Sequence, residues 1–212
     1  TEESLNIIKM AWTQESVTYE GKYWKFDEAI ALPRPFQNPH PPIWAAVHSA
    51  DSLDFAAKNN YDIATNIDTD RVTAEKFDYF RRKRKELGRQ GPSPRTFLMR
   101  NIHVAETDEL AREQAEPHLL VDYRLGREFT ENTRIGFGSN PRGAGTEDSP
   151  DIRERGRVIR NSFRSFDFSV DNGIAVVGSP ETVVKKLSEQ RESIGIDVYV
   201  GNFHLGNMPS AQ

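Results

Sequence analysis

The residues of this chain best suited to chemistry are His48-Ser49-Ala50-Asp51-Ser52. Just before them, IWAAV (43–47) is a continuous apolar run of the kind expected in a strand buried on both faces. Just after them, Leu53, Ala56 and Ala57 recur at helical spacing. A strand that passes into a helix leaves the first backbone N–H groups of the helix without partners and sets the positive end of its dipole beside them. Such a turn suits a phosphate, and the hydroxyls of Ser49 and Ser52 would add donors without bulk. Two features weigh the other way. Ser49 can simply cap the helix, with Ser52 a first-turn residue, and Asp51 is compatible with a nearby dianion only if its carboxylate faces solvent.

Asn66 ends the next strand-like run, YDIATN (61–66), at the same end of a parallel sheet, and by residue type it is equally a turn former. Arg100 and Asn101 lie inside a third run, RTFLMRNIHV (95–104), where alternation turns one of the two inward. The histidines, His40, His48, His103, His118 and His204, show no i, i+4 pair and no HExxH arrangement, and there is no cysteine to support them. A metal site is therefore not expected; His40 reads as structural, and His204 follows the fourth strand described below. The basic run RRKRKELGR (81–89) shares a helix with Phe77, Phe80 and Leu87, and the net charge is -4, so it reads as a solvated face rather than a nucleic-acid site. The glycines of GFGSNPRGAG do not fall between a strand and a helix, so they fail as a dinucleotide fingerprint.

The elements that must position these residues follow from spacing. TEESLNIIKMAW carries Leu5, Ile8 and Trp12 on one helical face from almost the first residue and has no initial methionine, which reads as a sequence starting inside something longer. Tyr19, Tyr23 and Trp24 flank Glu20-Gly21 in a hairpin pattern, and the prolines of Leu32 to Pro42 predict a rigid, extended connector. A long helix is expected over 68–88, with Phe77, Phe80 and Leu87 on its buried side. Thr107 is a good N-cap, with Asp108 and Glu109 in the first turn of its helix. From about Gly126 to Gly156 apolar periodicity vanishes, which predicts a long mobile loop. Ser179 then caps a helix with Pro180 at N1; Val183, Val184, Leu187 and Ile194 form its stripe and Gly195 stops it. DVYVGNF (197–203) is a fourth strand.

Four strands alternating with helices imply right-handed βαβ units and a parallel sheet. A full (β/α)8 barrel has eight strands in roughly 250 residues, so this chain offers half of one, or else a small open α/β sheet. A chain of 212 residues can bury one sizeable core. With no cysteine and no apolar run near the ~20 residues of a membrane span, neither disulfides nor a membrane is expected, and a cytoplasmic protein fits.

Three stretches, in order, resemble the bacterial-luciferase-like family of flavin-dependent monooxygenases. AWTQESVTYEGKYWKFDEAIALPRPFQNPHPPIWAAV is similar to the segment leading into that family's fifth barrel strand, its proline-rich part being the most specific. HSADSLDFAAKNNYDIATN is similar to the fifth helix and sixth strand, and VGSPETVVKKLSEQRESIGIDVYVGNFHLGNMP to the last helix-strand unit. The resemblance implies an α/β fold of the luciferase-like TIM-barrel type, of which residues 1–212 supply strands five to eight. The catalytic residues would then belong to the half outside this chain. It implies FMN as cofactor, reduced by a separate flavin reductase, and O2-dependent oxygenation of a small organic substrate. It also implies that His48, Ser49 and Ser52 hold the FMN phosphate and that Asn66 lies near the flavin ring. A mobile lid is implied at about 126–160, in which Arg127, Arg134 and Arg142 meet phosphate or an anionic substrate and water is kept from the flavin. Rival readings are an oxidoreductase using coenzyme F420 and a non-catalytic flavin-binding or assembly protein. Half a barrel exposes unpaired strand edges, so the chain is expected either to continue in a longer polypeptide or to pair with another copy as a homo-oligomer.

Overall fold

The computed structural model describes residues 2–89, 93–133 and 165–208, in two units, Thr1–Ile43 and Trp44–Gln212. In the first unit, helix α1 (Glu2–Thr13) precedes an antiparallel hairpin of β1 (Val17–Glu20) and β2 (Lys25–Ala29). The Glu3 carboxylate accepts the N–H groups of Tyr23 and Trp24, each at 3.1 Å, and so ties the helix to the hairpin turn. A side chain at Gly21 would displace that carboxylate and the Tyr19 ring, so the absence of a side chain there lets Glu3 close on the turn. The proline connector carries no helix or strand; within it the His40 ring lies 5.8 Å from the Trp12 ring and its Nδ1 2.7 Å from the Pro41 carbonyl.

The second unit is built on β3 (Trp44–Ala46), β4 (Asp62–Thr65), β5 (Thr96–Val104), β6 (Ala175–Gly178) and β7 (Val198–Asn202). All of their pairings are parallel. Register shows how they are arranged. Phe97 and Leu98 of β5 pair with both β4 and β7, and Asn101 pairs with both β6 and β7. A strand has two edges, so β4 and β6 share one, β6 continuing where β4 stops. The order β3-β4-β5-β7 therefore follows the chain, as expected for successive βα units. Helices α2 (Ala50–Asn59), α3 (Asp70–Glu86), α4 (Asp108–Thr133), α5 (Phe166–Asp171) and α6 (Pro180–Gln190) join them, and α6 runs into a π turn at Arg191–Gly195.

Alternation along β5 sorts its side chains. Thr96, Leu98, Arg100 and Ile102 are buried, Ile102 packing with Val176 and with Val183 of α6. On the opposite face Met99 is half-exposed, as are Trp44 and Val200, while Ala111, Ala115 and Leu119 of α4 pack with Ala175 and Val177 of β6. Arg100, only 1% exposed, donates from Nη2 to Asp70 Oδ1 at 3.0 Å. Gln190 Nε2 also reaches Asp70, at 2.9 Å, and donates to the Gly173 carbonyl at 2.9 Å. The Tyr199 hydroxyl lies 3.1 Å from Gln190 Oε1. Burial pulls the Arg100 guanidinium below its usual pKa, with Asp70 opposing it, and burial pushes the Tyr199 hydroxyl up. Gly173 has φ 73, and a Cβ there would strike the Asp70 carboxylate.

Four expectations need correction. Helix α4 runs to Thr133, so 126–133 is helix rather than loop. The buried repeat Ala111, Ala115, Leu119, Tyr123 anchors the helix, which continues past the end of the apolar signal because adding a turn to an existing helix is easier than starting one. The rest of the expected lid, including Arg134 and Arg142, lies outside the described residues, as does the side chain of Arg127. Leu87 and Val184 are exposed, because Leu87 is already the C-cap of α3 and Val184 lies off the stripe of α6 set by Val183 and Leu187. Arg84, inside the basic run, is buried and donates to Asn60 at 2.8 Å and to Ser93 at 3.0 Å. Strand β6 and helix α5 are additions that spacing did not reveal.

Candidate functional site

Parallel strands bring their C-terminal ends to one side of a sheet, where ligands of α/β proteins bind. Here that side carries His48 after β3, Asn66 after β4, Asn101 in β5 and Asn202 at the end of β7. The Asn202 amide donates to Asn101 Oδ1 at 2.8 Å, and Asn101 Nδ2 to the Tyr123 hydroxyl at 3.3 Å.

The β3–α2 turn is a complete capping box. Ser49, with φ -133 and ψ 164, is the N-cap, and its Oγ accepts the Ser52 N–H at 3.3 Å. Ser52 Oγ accepts the N–H groups of His48 and Ser49, each at 3.0 Å, and donates to the Ser49 carbonyl at 2.7 Å. The two hydroxyls thus hold the turn itself together. Among the described residues, the first-turn N–H groups of Ala50 and Asp51 meet no acceptor, and Asp51 is exposed to solvent. A helix start with two unoccupied donors can accept an anion.

Next to it, the Asp68 N–H closes on the Asn66 carbonyl at 2.7 Å across Ile67, whose φ is 60. A γ-turn of positive φ centred on a β-branched residue is strained, and such strain gathers at binding and catalytic turns. Asn66 Oδ1 is buried with no hydrogen-bond partner among the described residues. Beneath the two turns, Asp68 Oδ2 accepts the Thr65 hydroxyl at 2.7 Å and Lys76 Nζ at 3.2 Å. The same ammonium donates to the His48 carbonyl at 3.2 Å.

The structure therefore brings His48, Ser49 and Ser52 together and sets Asn66 in the neighbouring turn, the two turns being joined through Lys76 and Asp68. Sequence reasoning missed Thr65, Asp68 and Lys76. The available signal was a lysine at a buried-stripe position of α3, with Thr73, Phe77 and Phe80 around it.

A second turn of similar pattern opens α6. Ser179 Oγ accepts the Thr182 N–H at 3.3 Å, as expected for this cap. The Asp108 carboxylate from the start of α4 takes the Ser179 N–H at 2.6 Å and the Thr182 hydroxyl at 2.9 Å. The Ser179 N–H, with help from the Thr182 hydroxyl, holds the Asp108 carboxyl below the usual carboxylate range. Among the described residues no three His, Cys, Asp or Glu side chains gather as a metal site would require, and no helix is long and apolar enough to cross a membrane.

The site is thus a capped helix start beside a strained turn, at the end of a parallel βα sheet where barrel enzymes gather their binding residues. The sequence matches the luciferase-like monooxygenases over residues 1–198, and the chain belongs to that family. It is 28% identical over 138 residues to the oxygenase component of flavin-dependent trigonelline monooxygenase from Acinetobacter baylyi, covering 64% of this chain and 38% of that one. It is 23% identical over 205 residues to the FMNH(2)-dependent dimethylsulfone monooxygenase of Pseudomonas putida, covering 96% and 52%. The coenzyme F420-dependent tetrahydromethanopterin reductase of Methanopyrus kandleri superposes with a TM-score of 0.64 at 18% identity, over 95% of this chain and 56% of that one. The fold is that of part of a luciferase-like barrel, and the chain spans about half the length or less of these relatives.

Proposed function

We propose that the protein carrying this chain is a monooxygenase that uses reduced FMN and dioxygen to oxygenate a small organic substrate, the flavin arriving from a separate reductase in the cytoplasm. The observation that carries this reading is the helix start at His48–Ser52, whose Ala50 and Asp51 N–H groups meet no acceptor among the described residues, at the C-terminal end of a parallel strand in a chain of the luciferase-like family. The names of the trigonelline and dimethylsulfone enzymes support the flavin and the oxygenation, and the words "oxygenase component" support a reductase partner.

The residues present suit the cofactor. The Ala50 and Asp51 N–H groups and the reorientable Ser49 hydroxyl would hold the phosphate, with His48 and Ser52 setting the shape of the turn. Asn66, whose buried oxygen lacks a donor, matches a ring N–H in kind. Bound reduced flavin supplies the electrons that place one oxygen atom of O2 in the substrate and release the other as water. The part of this chain is to bind and orient; the groups that meet the substrate belong to the remainder of the barrel. The uncovered face bearing Trp44, Met99 and Val200 supports a remainder of that kind, whether from the same polypeptide or a second copy.

The test is oxygen uptake by the full-length protein with reduced FMN, set beside hydride transfer from reduced coenzyme F420. Substrate-dependent oxygen uptake with retained flavin is the expected result. Oxygen-independent turnover with F420 would replace this reading with the rival on the same fold. Flavin retention with neither reaction would leave a binding protein.

A further inference from the structure

We propose that Lys76 is the positioning residue for anion recognition at the His48–Ser52 turn; this rests on the reading of that turn as a phosphate site. The ammonium of Lys76 reaches from α3 and bonds the His48 carbonyl and Asp68 Oδ2, each at 3.2 Å. Its side chain is 8% exposed and that of Asp68 is 1% exposed. An apolar residue would fill this stripe beside Phe77 and Phe80 without desolvating two charges, and a buried pair is a poor source of stability in itself. What the pair does supply is orientation.

The peptide joining His48 to Ser49 is planar and trans, so its C=O and N–H point in opposite directions. Lys76 holds the carbonyl, and Ser52 Oγ holds the Ser49 N–H at 3.0 Å. Gripped on both sides, this peptide cannot rotate, and the next two N–H groups, of Ala50 and Asp51, keep their direction out of the helix start. Asp68 in turn anchors Lys76, and its own N–H closes the strained turn at Ile67. One buried cation thereby sets the β3–α2 turn against the β4–α3 turn, and a binding site spanning both inherits that spacing.

The test is the affinity of the full-length protein for FMN and for riboflavin, which lacks the phosphate, followed by flavin fluorescence in wild type, Lys76→Met, Lys76→Arg and the double variant Lys76→Met/Asp68→Leu. The double variant removes both charges and keeps the experiment readable if Lys76→Met fails to fold. FMN affinity is expected to fall about ten-fold or more in the methionine variants, with riboflavin affinity held within about two-fold and Lys76→Arg partly restored. Equal losses for both ligands, or no loss in the double variant, would overturn the positioning role. A wild type that binds FMN no better than riboflavin would instead overturn the phosphate reading, and the inference would go with it.

Discussion

The turn from β3 into α2 and the turn from β6 into α6 share a pattern, Ser-x-x-Ser at 49–52 and Ser-x-x-Thr at 179–182. They differ in what meets the helix start. At Ser179 a carboxylate of the same chain, Asp108, fills the place of an anion. At Ser49 the N-cap N–H is closed by Ser52 instead, and no carboxylate from another element meets the first turn among the described residues. The pattern alone finds helix starts. Whether a helix start can serve a ligand depends on whether a neighbouring element already supplies the charge.

Four changes would break or sharpen this contrast. The largest is Lys76→Met alone, which strands Asp68 beneath the first turn and should cost about 3–5 kcal/mol in chemical denaturation. Nothing comparable is buried at the Ser179 turn, so removing Asp108 should cost far less. Next, Ser52→Ala deprives the His48 and Ser49 N–H groups of their acceptor and should cost about 1–3 kcal/mol, with a parallel fall in FMN affinity. Unaltered FMN binding in that variant would make the first turn a cap and nothing more. Ser179→Ala should lower stability by about 1 kcal/mol and leave FMN affinity untouched, as measured by melting and titration together. A loss of flavin there would dissolve the contrast.

The smallest effect is one of pH. The folded chain holds the Asp108 carboxyl below its unfolded pKa of about 3.9. Its contribution is therefore complete above roughly pH 4 and is lost as pH falls through the lower, folded value. The melting temperatures of wild type and Asp108→Asn should differ by a constant amount above about pH 4 and converge below it. A gap that persists into strong acid would mean that the carboxylate charge is not what holds the second turn.

Much of the fold was legible because strands carry short runs rich in apolar and β-branched residues, although IWAAV, expected to be buried on both faces, leaves Trp44 and Ala46 exposed. IWAAV, YDIATN, RTFLMRNIHV and DVYVGNF hold β3, β4, β5 and β7, and their order in the chain is their order in the sheet. Ser179 and Pro180 were legible because caps are local chemistry. Strand β6 was not: AVVG runs directly into the Ser179 cap that drew the reading to the following helix, and it is defined as a strand by pairing with β5. The site was legible only in position. That Ser49 and Ser52 would bond each other's backbone is a matter of side-chain rotamers, and that Lys76 would reach the His48 carbonyl is a matter of tertiary packing. Asp108 shows the same limit. Its first-turn place on α4 was correctly read from the dipole rule, yet its oxygens serve a different helix.

Arg100 has a consequence for how the second unit opens. Its bond to Asp70, and that of Gln190 to the same carboxylate, fasten β5, α3 and the end of α6 at one point closed over by Gly173. None of the three can come loose without parting a fully buried guanidinium from its carboxylate. Their amides should therefore exchange with solvent together, at one common rate, when hydrogen exchange of the folded protein is followed residue by residue.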